Sequence, residues 1–257
     1  MTTLTRQGCE FIENTLVKAA AYSGNMEPGK KQISASQLGN DTLQLYLKYK
    51  HGGKESIIFD AATFGSIYHL GAEYAFKDID TVETEKSLSY ELSNGWLVTG
   101  SIDLIDHKHK LIVDHKTTTA TSIASTQKEG KNSSYGLQQS VYRWLLKKNY
   151  DLDYSAILAM VDKNFSYFKD NKFNQINFIE IDTHTIEDTE QLLLDKTNEL
   201  QSYIDLDQEP GQCQNLFWYA RKGQKRKAMK CLHYCDQSQH CPYFSDFNAV
   251  KDLLMGL

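Results

Sequence analysis

The chain has 257 residues, of which 40% are hydrophobic and 24% charged, so its composition is that of a folded globular protein rather than a disordered one. No apolar run reaches the roughly 18 residues that a membrane span needs, and Met1 to Asn25 lack a secretory signal pattern, so we expect a cytoplasmic protein with no membrane partner. The formal net charge of −5 argues against a protein that coats nucleic acid broadly, but it leaves room for a local basic surface.

The N-terminal part of the sequence predicts mainly helices. Apolar residues recur at helical spacing, Pro28 and Gly29 mark a loop, and serine side chains are available as helix caps. The predicted elements are a helix over 4–22, a loop from Gly24 to Lys31, a helix capped by Ser34 or Ser36 and running to about Tyr49, and a helix over 62–77.

The pattern then changes from helical spacing to alternation. Strands are predicted over 82–92 and Trp96 to Ile105, and Ser93-Asn94-Gly95 between them is a strong hairpin signal. A third strand is predicted from Leu111 to Lys116. The Thr- and Ser-rich segment 117–133 predicts a mobile loop at a functional edge.

The rest of the chain alternates helices with strands before a cysteine-containing tail. The predicted elements are a helix over 135–148, strands over 154–161 and Phe173 to Ile181, and a helix from His184 to about Leu206. This order predicts an α/β fold with a mixed central β-sheet flanked by helices. Pro210-Gly211 marks a boundary, so we expect a core with its N-terminal helices over 1–208 and a helical, cysteine-containing C-terminal lobe over 209–257, packed on the core.

Two aspartates and a lysine on neighbouring predicted strands suggest a metal site. Alternation places Asp114 and Lys116 on the same side of their strand, and the adjacent strand brings Asp103 next to them. Carboxylates of this kind suit Mg²⁺ or Mn²⁺, and a lysine there stabilises developing negative charge. A hairpin with charges facing solvent is the alternative, because D-x-K alone is common.

Several motifs around these residues resemble those of the PD-(D/E)XK nucleases, in particular the RecB-like branch. They occur in the order of that branch and cover about residues 33–145. The matching segments are Ser34-Ala35-Ser36-Gln37-Leu38, Gly65 to Glu73 with its G-x-x-x-H-x-x-x-E pattern, Gly100-Ser101-Ile102-Asp103, Asp114-His115-Lys116-Thr117 and Gln138 to Tyr142. The resemblance implies a restriction-endonuclease-like core and a nuclease activity.

The resemblance also implies roles for individual residues. His69, Asp103 and Asp114 would bind Mg²⁺ or Mn²⁺ together with the backbone carbonyl of His115, and Lys116 would be the catalytic lysine. Gln138 would position Lys116 or the nucleotide, Tyr142 would contact DNA or support the site, and Glu73 would orient His69 from one turn away.

Some of these residues can also be interpreted as structural residues with no part in catalysis or metal binding. His69 can be a core histidine, Glu73 a surface acid and Tyr142 a packing residue. Glu85 and Glu91 are further candidate carboxylates, although the sequence does not fix which way they face.

The C-terminal cysteines are similar to those that hold a [4Fe–4S] cluster in some RecB-like exonucleases. Three of them, Cys231, Cys235 and Cys241, lie within eleven residues, and Cys213 can complete the set. Cys9, His233 and His240 are alternative fourth ligands. The cysteines are therefore predicted to hold an iron–sulfur cluster or Zn²⁺ as a structural group, with unligated thiols as the alternative.

A run of basic residues before these cysteines is a candidate DNA-binding surface. Trp218 and Tyr219 precede it, and cations interleaved with aromatics suit single-stranded DNA. A solvated loop is the alternative. The basic residues are Arg221, Lys222, Lys225, Arg226, Lys227 and Lys230.

The resemblance to the RecB-like branch implies a metal-dependent exonuclease on single-stranded DNA or DNA ends, used in replication, recombination or repair, and the habits of that family fit a phage origin. The chain has no nucleotide-binding G-x-x-x-x-G-K-[ST] motif, so a helicase or recombination protein is the expected partner. The alternatives are a structure-specific or restriction-like endonuclease of the same superfamily and a non-catalytic DNA-binding subunit with the same fold.

Overall fold

The computed structural model describes residues 27–53, 59–162, 165–166, 173–214, 218–219, 227–228, 231 and 235–244. The helix predicted over 4–22 lies outside these residues. The described chain forms two compact units: the first contains Gln32–Gly39 and Phe59–Asp195, and the second contains Tyr22–Lys31, Asn40–Ile58 and Lys196–Leu257, each over its described residues. The sequence-based boundary at residue 208 lies within the second unit and stays a prediction.

The first unit is built on a mixed sheet, as the sequence predicts, with six strands where the sequence predicts five, because Gln32–Ser34 adds a strand. The strands are β1 (Gln32–Ser34), β2 (Val82–Glu91), β3 (Leu97–Asp106), β4 (Leu111–Thr118), β5 (Ser155–Asp162) and β6 (Ile176–Glu180). Their order is β1-β3-β4-β5-β6, and β2 pairs with β3 along its length. The β1–β3 and β4–β5 pairs are parallel, and the others are antiparallel.

The predicted hairpin between β2 and β3 is confirmed. Gly95 has a φ of 80°, which glycine adopts without the steric cost that a side chain brings. Asn94 Oδ1 accepts a hydrogen bond from the Trp96 backbone N–H at 3.3 Å, and this local contact stabilises the turn. The hairpin therefore sets the register in which β2 lies against β3.

Five α-helices accompany the strands in the part of the chain that the structure describes. They are α1 (Thr42–His51), α2 (Phe59–Phe76), α3 (Ala120–Glu129), α4 (Ser134–Tyr150) and α5 (Ile186–Asp205). No helix among the described residues is both long and apolar enough to span a membrane.

The sequence predicts one helix from Ser34 or Ser36 to about Tyr49, and this prediction is wrong. The segment forms β1, a 3₁₀ turn over Ala35–Gln37 and then α1, which begins only at Thr42. Gln37 Oε1 accepts the Ser34 backbone N–H at 2.9 Å, so the capping pattern closes a single short turn. Gly39 and Asn40 then separate this turn from α1, because both residues favour turns over helix.

The prediction of a loop over 117–133 is wrong, because this segment contains α3 and a 3₁₀ turn over Gly130–Asn132. Thr119 caps α3 by accepting the Ser122 backbone N–H at 3.3 Å. Ile123 and Thr126 are buried and share one helix face. Tertiary packing of this small face outweighs the weak helix propensity of a Thr- and Ser-rich segment.

The core of the first unit lies between the sheet and α4. Val141, Trp144 and Leu145 of α4 are fully buried. Gly100 on β3 allows the close approach, because a Cβ there would lie 2.9 Å from both the Leu145 and Tyr142 side chains. The glycine of the G-x-x-D motif thus sets the distance between β3 and the helix that carries Gln138 and Tyr142.

We predict that Gly100→Ala lowers the free energy of unfolding by about 1–3 kcal/mol, because the added methyl overpacks the interface between β3 and α4. Urea denaturation measures this change. Gly71→Ala is the matched control, since Gly71 lies in α2 with open space around it, and its replacement should raise the stability by about 0.5–1 kcal/mol. A Gly100→Ala variant as stable as the parent would contradict the proposed close packing.

Candidate active site

The site forms where β3 and β4 stop pairing. Their ladder runs from Asp106↔Leu111 to Leu104↔Val113. At the next position, Asp103 Oδ2 accepts the His115 backbone N–H at 2.7 Å. In a continuous ladder this N–H would donate to a backbone carbonyl of the neighbouring strand, but here it donates to the Asp103 carboxylate. The gap between the strands holds the side chains of Asp103 and Asp114.

Asp114 is held by groups from two elements. The Lys116 Nζ lies 2.9 Å from Asp114 Oδ1 and 2.8 Å from Oδ2. Gln138 on α4 donates from Nε2 to Asp114 Oδ1 at 3.3 Å and to the Tyr142 hydroxyl at 2.6 Å. The Asp114 side chain is only 1% exposed. Its Oδ2 is in ion-pair contact with Lys116 but has no aligned hydrogen-bond donor, so this buried oxygen keeps acceptor capacity.

His69 on α2 lies next to the two strands. Its Nε2–H donates to the His115 carbonyl oxygen at 2.9 Å, and its Nδ1 lies 3.5 Å from Asp103 Oδ2. Glu85 Oε1 on β2 is 3.9 Å from the same Nδ1. The ligand atoms of His69, Glu85 and Asp103 all lie within 4.8 Å of one another, and no other group of this kind occurs among the described residues.

The charges in the site are unbalanced on the acidic side. Burial raises the pKa of the Asp103 and Asp114 carboxyl groups, and the positive charge of Lys116 only partly offsets it. Burial alone would lower the pKa of the Lys116 ammonium, but Asp114 and Asp103 raise it above its ordinary value. Lys116 is therefore protonated at neutral pH. A divalent cation would relieve the cost of the two buried carboxylates, and the donor set of carboxylate oxygens and imidazole fits such an ion.

The side chain of His115 plays a different part from its backbone. Burial lowers the pKa of its imidazole to about 4, so the ring is neutral at neutral pH. The ring packs edge-on against Tyr68 and His69, with centroids 5.5 and 6.0 Å apart. The backbone carbonyl, predicted to bind metal, instead accepts the hydrogen bond from His69 in this structure. Its role as a ligand stays a prediction.

Tyr142, which the sequence predicts, and Tyr135, which it does not, lie beside the site, whereas the predicted Glu73 has no polar contact with His69 among the described residues. Tyr142 is bound to Gln138 and packs against Gly100, so it supports the site from inside the core. Glu73 is half-buried one turn after His69, but no hydrogen bond or ion pair joins the two among the described residues. Tyr135, in the first turn of α4, places its ring centroid 5.7 Å from Lys116 Nζ. The sequence gives no signal for Tyr135, because only the start of α4 beside β4 brings it there.

The four C-terminal cysteines meet in the second unit. Cys213, Cys231, Cys235 and Cys241 line one enclosed cavity together with apolar residues such as Leu43, Leu47 and Phe244. None of the four forms a disulfide. Burial raises the pKa of the Cys235 thiol to about 11 and also raises that of Cys241, so both are neutral thiols at pH 7 in the absence of a metal.

The alternative ligands and the basic run fall largely outside the described residues. Cys9 and His233 lie outside them, and the His240 ring stacks on His51 at a centroid distance of 4.1 Å. Of the basic run, only the backbone of Lys227 is described. It belongs to β8 (Lys227–Ala228), which pairs with β7 (Trp218–Tyr219). The other five basic residues lie outside the described part of the chain: Arg221, Lys222, Lys225, Arg226 and Lys230.

A mixed sheet with Asp103, Asp114 and Lys116 at the opening of an antiparallel pair is the arrangement expected of a metal-dependent nuclease core. The chain matches the family model of the PD-(D/E)XK nuclease superfamily over residues 71–242, more than half of its length. The protein therefore belongs to this superfamily. No curated protein matches its sequence.

Solved structures with similar folds have low sequence identity to the chain. The crystal structure of SSO0001 is 18% identical, with a TM-score of 0.58, and the match covers 91% of this chain and 96% of that one. A phage-related exonuclease from Haemophilus somnus 129PT is 14% identical, with a TM-score of 0.43, over 68% of this chain and 96% of that one. The first of these likenesses supports the fold.

The raised pKa values predict that the two buried carboxylates destabilise the folded state of the metal-free protein at neutral pH. A carboxyl group whose pKa is raised by folding favours the folded state at low pH and loses this contribution as pH rises through the folded pKa. In EDTA at pH 7, Asp103→Asn should therefore raise the melting temperature by about 2–4 °C, the shift expected for about 1 kcal/mol. The gain should shrink toward pH 4.

Asp106→Asn is the control for this measurement. Asp106 lies on the same strand, but its hydrogen bond with His109 lowers the pKa of its carboxyl group. Its replacement should leave the melting temperature unchanged or lower it. An Asp103→Asn variant that is less stable than the parent at pH 7 would contradict the electrostatic account of the site.

Proposed function

We propose that the protein is a divalent-metal-dependent deoxyribonuclease that hydrolyses phosphodiester bonds. The observation that carries this proposal is the convergence of Asp103, Asp114 and Lys116 with His69 in one cluster that has too little positive charge. Membership of the PD-(D/E)XK superfamily supports it. Mg²⁺ or Mn²⁺ is the proposed cofactor, because carboxylate oxygens dominate the donor set.

The residues divide the chemistry between them. Asp103, Asp114 and His69 would hold the cation, which supplies charge neutralisation at a phosphate oxygen and lowers the pKa of a bound water. Lys116 would stabilise negative charge that develops on the phosphate or help to orient the attacking water. Gln138 and Tyr142 hold Asp114 from α4, and with it they fix the position of Lys116.

Within this activity we propose an exonuclease on single-stranded DNA or DNA ends, acting in replication, recombination or repair. The order of motifs, which resembles the RecB-like branch, supports this choice. The basic run from Arg221 to Lys230 is the proposed DNA contact, and a helicase or recombination protein is the proposed partner. A structure-specific or restriction-like endonuclease and a non-catalytic DNA-binding subunit are the two alternatives.

We predict that the protein degrades linear DNA in Mg²⁺ or Mn²⁺, spares circular DNA and is inactive in EDTA. Asp114→Asn and Lys116→Met should lower kcat at least about 100-fold, since Asp114 would hold the cation and Lys116 would act on the charge of the reacting phosphate. Release of labelled nucleotides from linear single-stranded, linear duplex and circular substrates measures this. Lys108→Met, a change on the exposed turn between β3 and β4, is the matched control and should keep full activity.

Each alternative has its own outcome in this assay. Cleavage of circular DNA would contradict the exonuclease and favour the endonuclease. Binding of DNA without cleavage under any metal condition would favour the non-catalytic subunit. Equal activity of Asp114→Asn and the parent would contradict the assignment of the site.

We also propose that the four cysteines hold a [4Fe–4S] cluster as a structural group of the second unit. All four line one cavity, and thiolates brought together in this way suit an iron–sulfur cluster or Zn²⁺. The similarity of these cysteines to those that hold a [4Fe–4S] cluster in some RecB-like exonucleases favours the cluster over zinc.

Metal analysis of anaerobically purified protein tests this proposal. We expect about four iron and four sulfide per chain with a broad visible absorbance. Cys235→Ser should lose the cluster and lower the melting temperature, because the cluster ties distant chain segments together. Cys9→Ser is the matched control and should keep both. One zinc per chain, or no bound metal, would contradict the cluster.

A further inference from the structure

Glu85 interrupts the regular pairing of β2 with β3. Thr84 pairs with Leu104 and Lys86 pairs with Ile102, but the ladder skips Glu85, whose position faces Asp103. Its φ is 49°, in the left-handed region that a side-chain-bearing residue rarely adopts within a strand. The flanking pairs hold the strand in register, so the departure is confined to the residue opposite Asp103.

The side chain of Glu85 reaches the site described above. Its Oε1 is 3.9 Å from His69 Nδ1, and Asp103 Oδ2 is 3.5 Å from the same nitrogen. Ligands of one octahedral Mg²⁺ at about 2.1 Å lie about 3 Å apart when adjacent and about 4.2 Å apart when opposite. The two measured distances lie between these values, and all three ligand atoms lie within 4.8 Å of one another, so side-chain adjustments of about 1 Å would let one ion bind all three groups.

The hydrogen bond at Nε2 of the His69 imidazole explains why a cation is needed beside Nδ1. A carbonyl oxygen can only accept, so the contact with His115 places the proton of His69 on Nε2. Nδ1 then faces the carboxylates of Glu85 and Asp103. Three acceptor groups this close together are favourable only with a positive charge between them, which is either a metal ion or a proton on Nδ1.

No basic side chain neutralises Glu85 in the described part of the chain. Its one ion-pair partner there is His69, and the neighbouring Lys86 is bound to Glu83 at 2.6 Å. The Glu85 side chain is 41% exposed, whereas that of Asp103 is 9% exposed. Of the two carboxylates, that of Glu85 is therefore the one closer to solvent, from which an ion enters the site.

We propose that Glu85 is a protein ligand of the divalent cation, together with His69 and Asp103, and that its left-handed backbone serves to aim the carboxylate at the ion. This inference rests on the proposed metal-dependent function and adds a ligand that the nuclease motifs do not include. Glu85 would join Asp114, whose Oδ1 is bound by Lys116 and Gln138 while its Oδ2 keeps acceptor capacity, as a further carboxylate at the ion.

Binding of Mn²⁺ tests the inference without reference to activity. Free Mn²⁺ is followed by its electron paramagnetic resonance signal while the full chain is titrated at neutral pH. We expect Glu85→Gln, which keeps the shape of the side chain and removes its charge, to weaken Mn²⁺ binding at least about 10-fold. Glu91→Gln, an exposed glutamate on the same strand, is the matched control and should bind as the parent does.

Glu85→Gly separates a ligand from a structural residue. Glycine adopts the left-handed backbone freely, so this variant should melt in EDTA at the temperature of the parent or above it, and it should still lose Mn²⁺ affinity. If Glu85 only pairs with a protonated His69, both variants should melt lower in EDTA and bind Mn²⁺ as the parent does, which would overturn the inference.

The outcomes also separate this inference from the proposed function. Parent protein that binds Mn²⁺ and cleaves DNA, with Glu85→Gln binding Mn²⁺ equally well, would overturn the role of Glu85 alone. Parent protein that binds no Mn²⁺ would overturn the role of Glu85 together with the metal site on which it depends.

Discussion

The burial of two carboxylates against a single lysine is the constraint around which the first unit is arranged. Asp103 and Asp114 lie in the gap where β3 and β4 stop pairing, and the Lys116 ammonium compensates only part of their charge. An uncompensated buried charge costs several kcal/mol unless hydrogen bonds or a cation stabilise it. The contacts from His115, Gln138 and His69 can be understood as the means by which the fold tolerates this arrangement.

The same constraint explains why α4 must lie close to the sheet. Gln138 reaches Asp114 only because Gly100 leaves room for Tyr142 and Leu145 against β3. A larger residue at position 100 would push α4 outward and separate Gln138 from the carboxylate. The glycine of the motif and the glutamine of the following helix therefore form one structural unit, although 38 positions separate them in the sequence.

The sequence predicts most of the sheet and the acidic cluster because those features depend on local patterns. Alternation and the Asn94-Gly95 turn determine the β2–β3 hairpin, and D-x-K alternation places Asp114 and Lys116 together. Prediction from the sequence fails where tertiary contacts decide the structure. The helix α3 forms because Ile123 and Thr126 are buried. The left-handed backbone of Glu85 cannot be predicted from the residue pattern. Glu85 was a candidate from the sequence, but only the structure shows that it faces Asp103.

The central claim is that a divalent cation binds where Asp103 and His69 meet. Anomalous diffraction from crystals of the full chain grown with Mn²⁺ tests it most directly. We expect a strong anomalous peak about 2–2.5 Å from an Asp103 carboxylate oxygen and from the His69 Nδ1. Anomalous density confined to surface sites, with Asp103 and His69 in direct contact and no ion beside them, would contradict it.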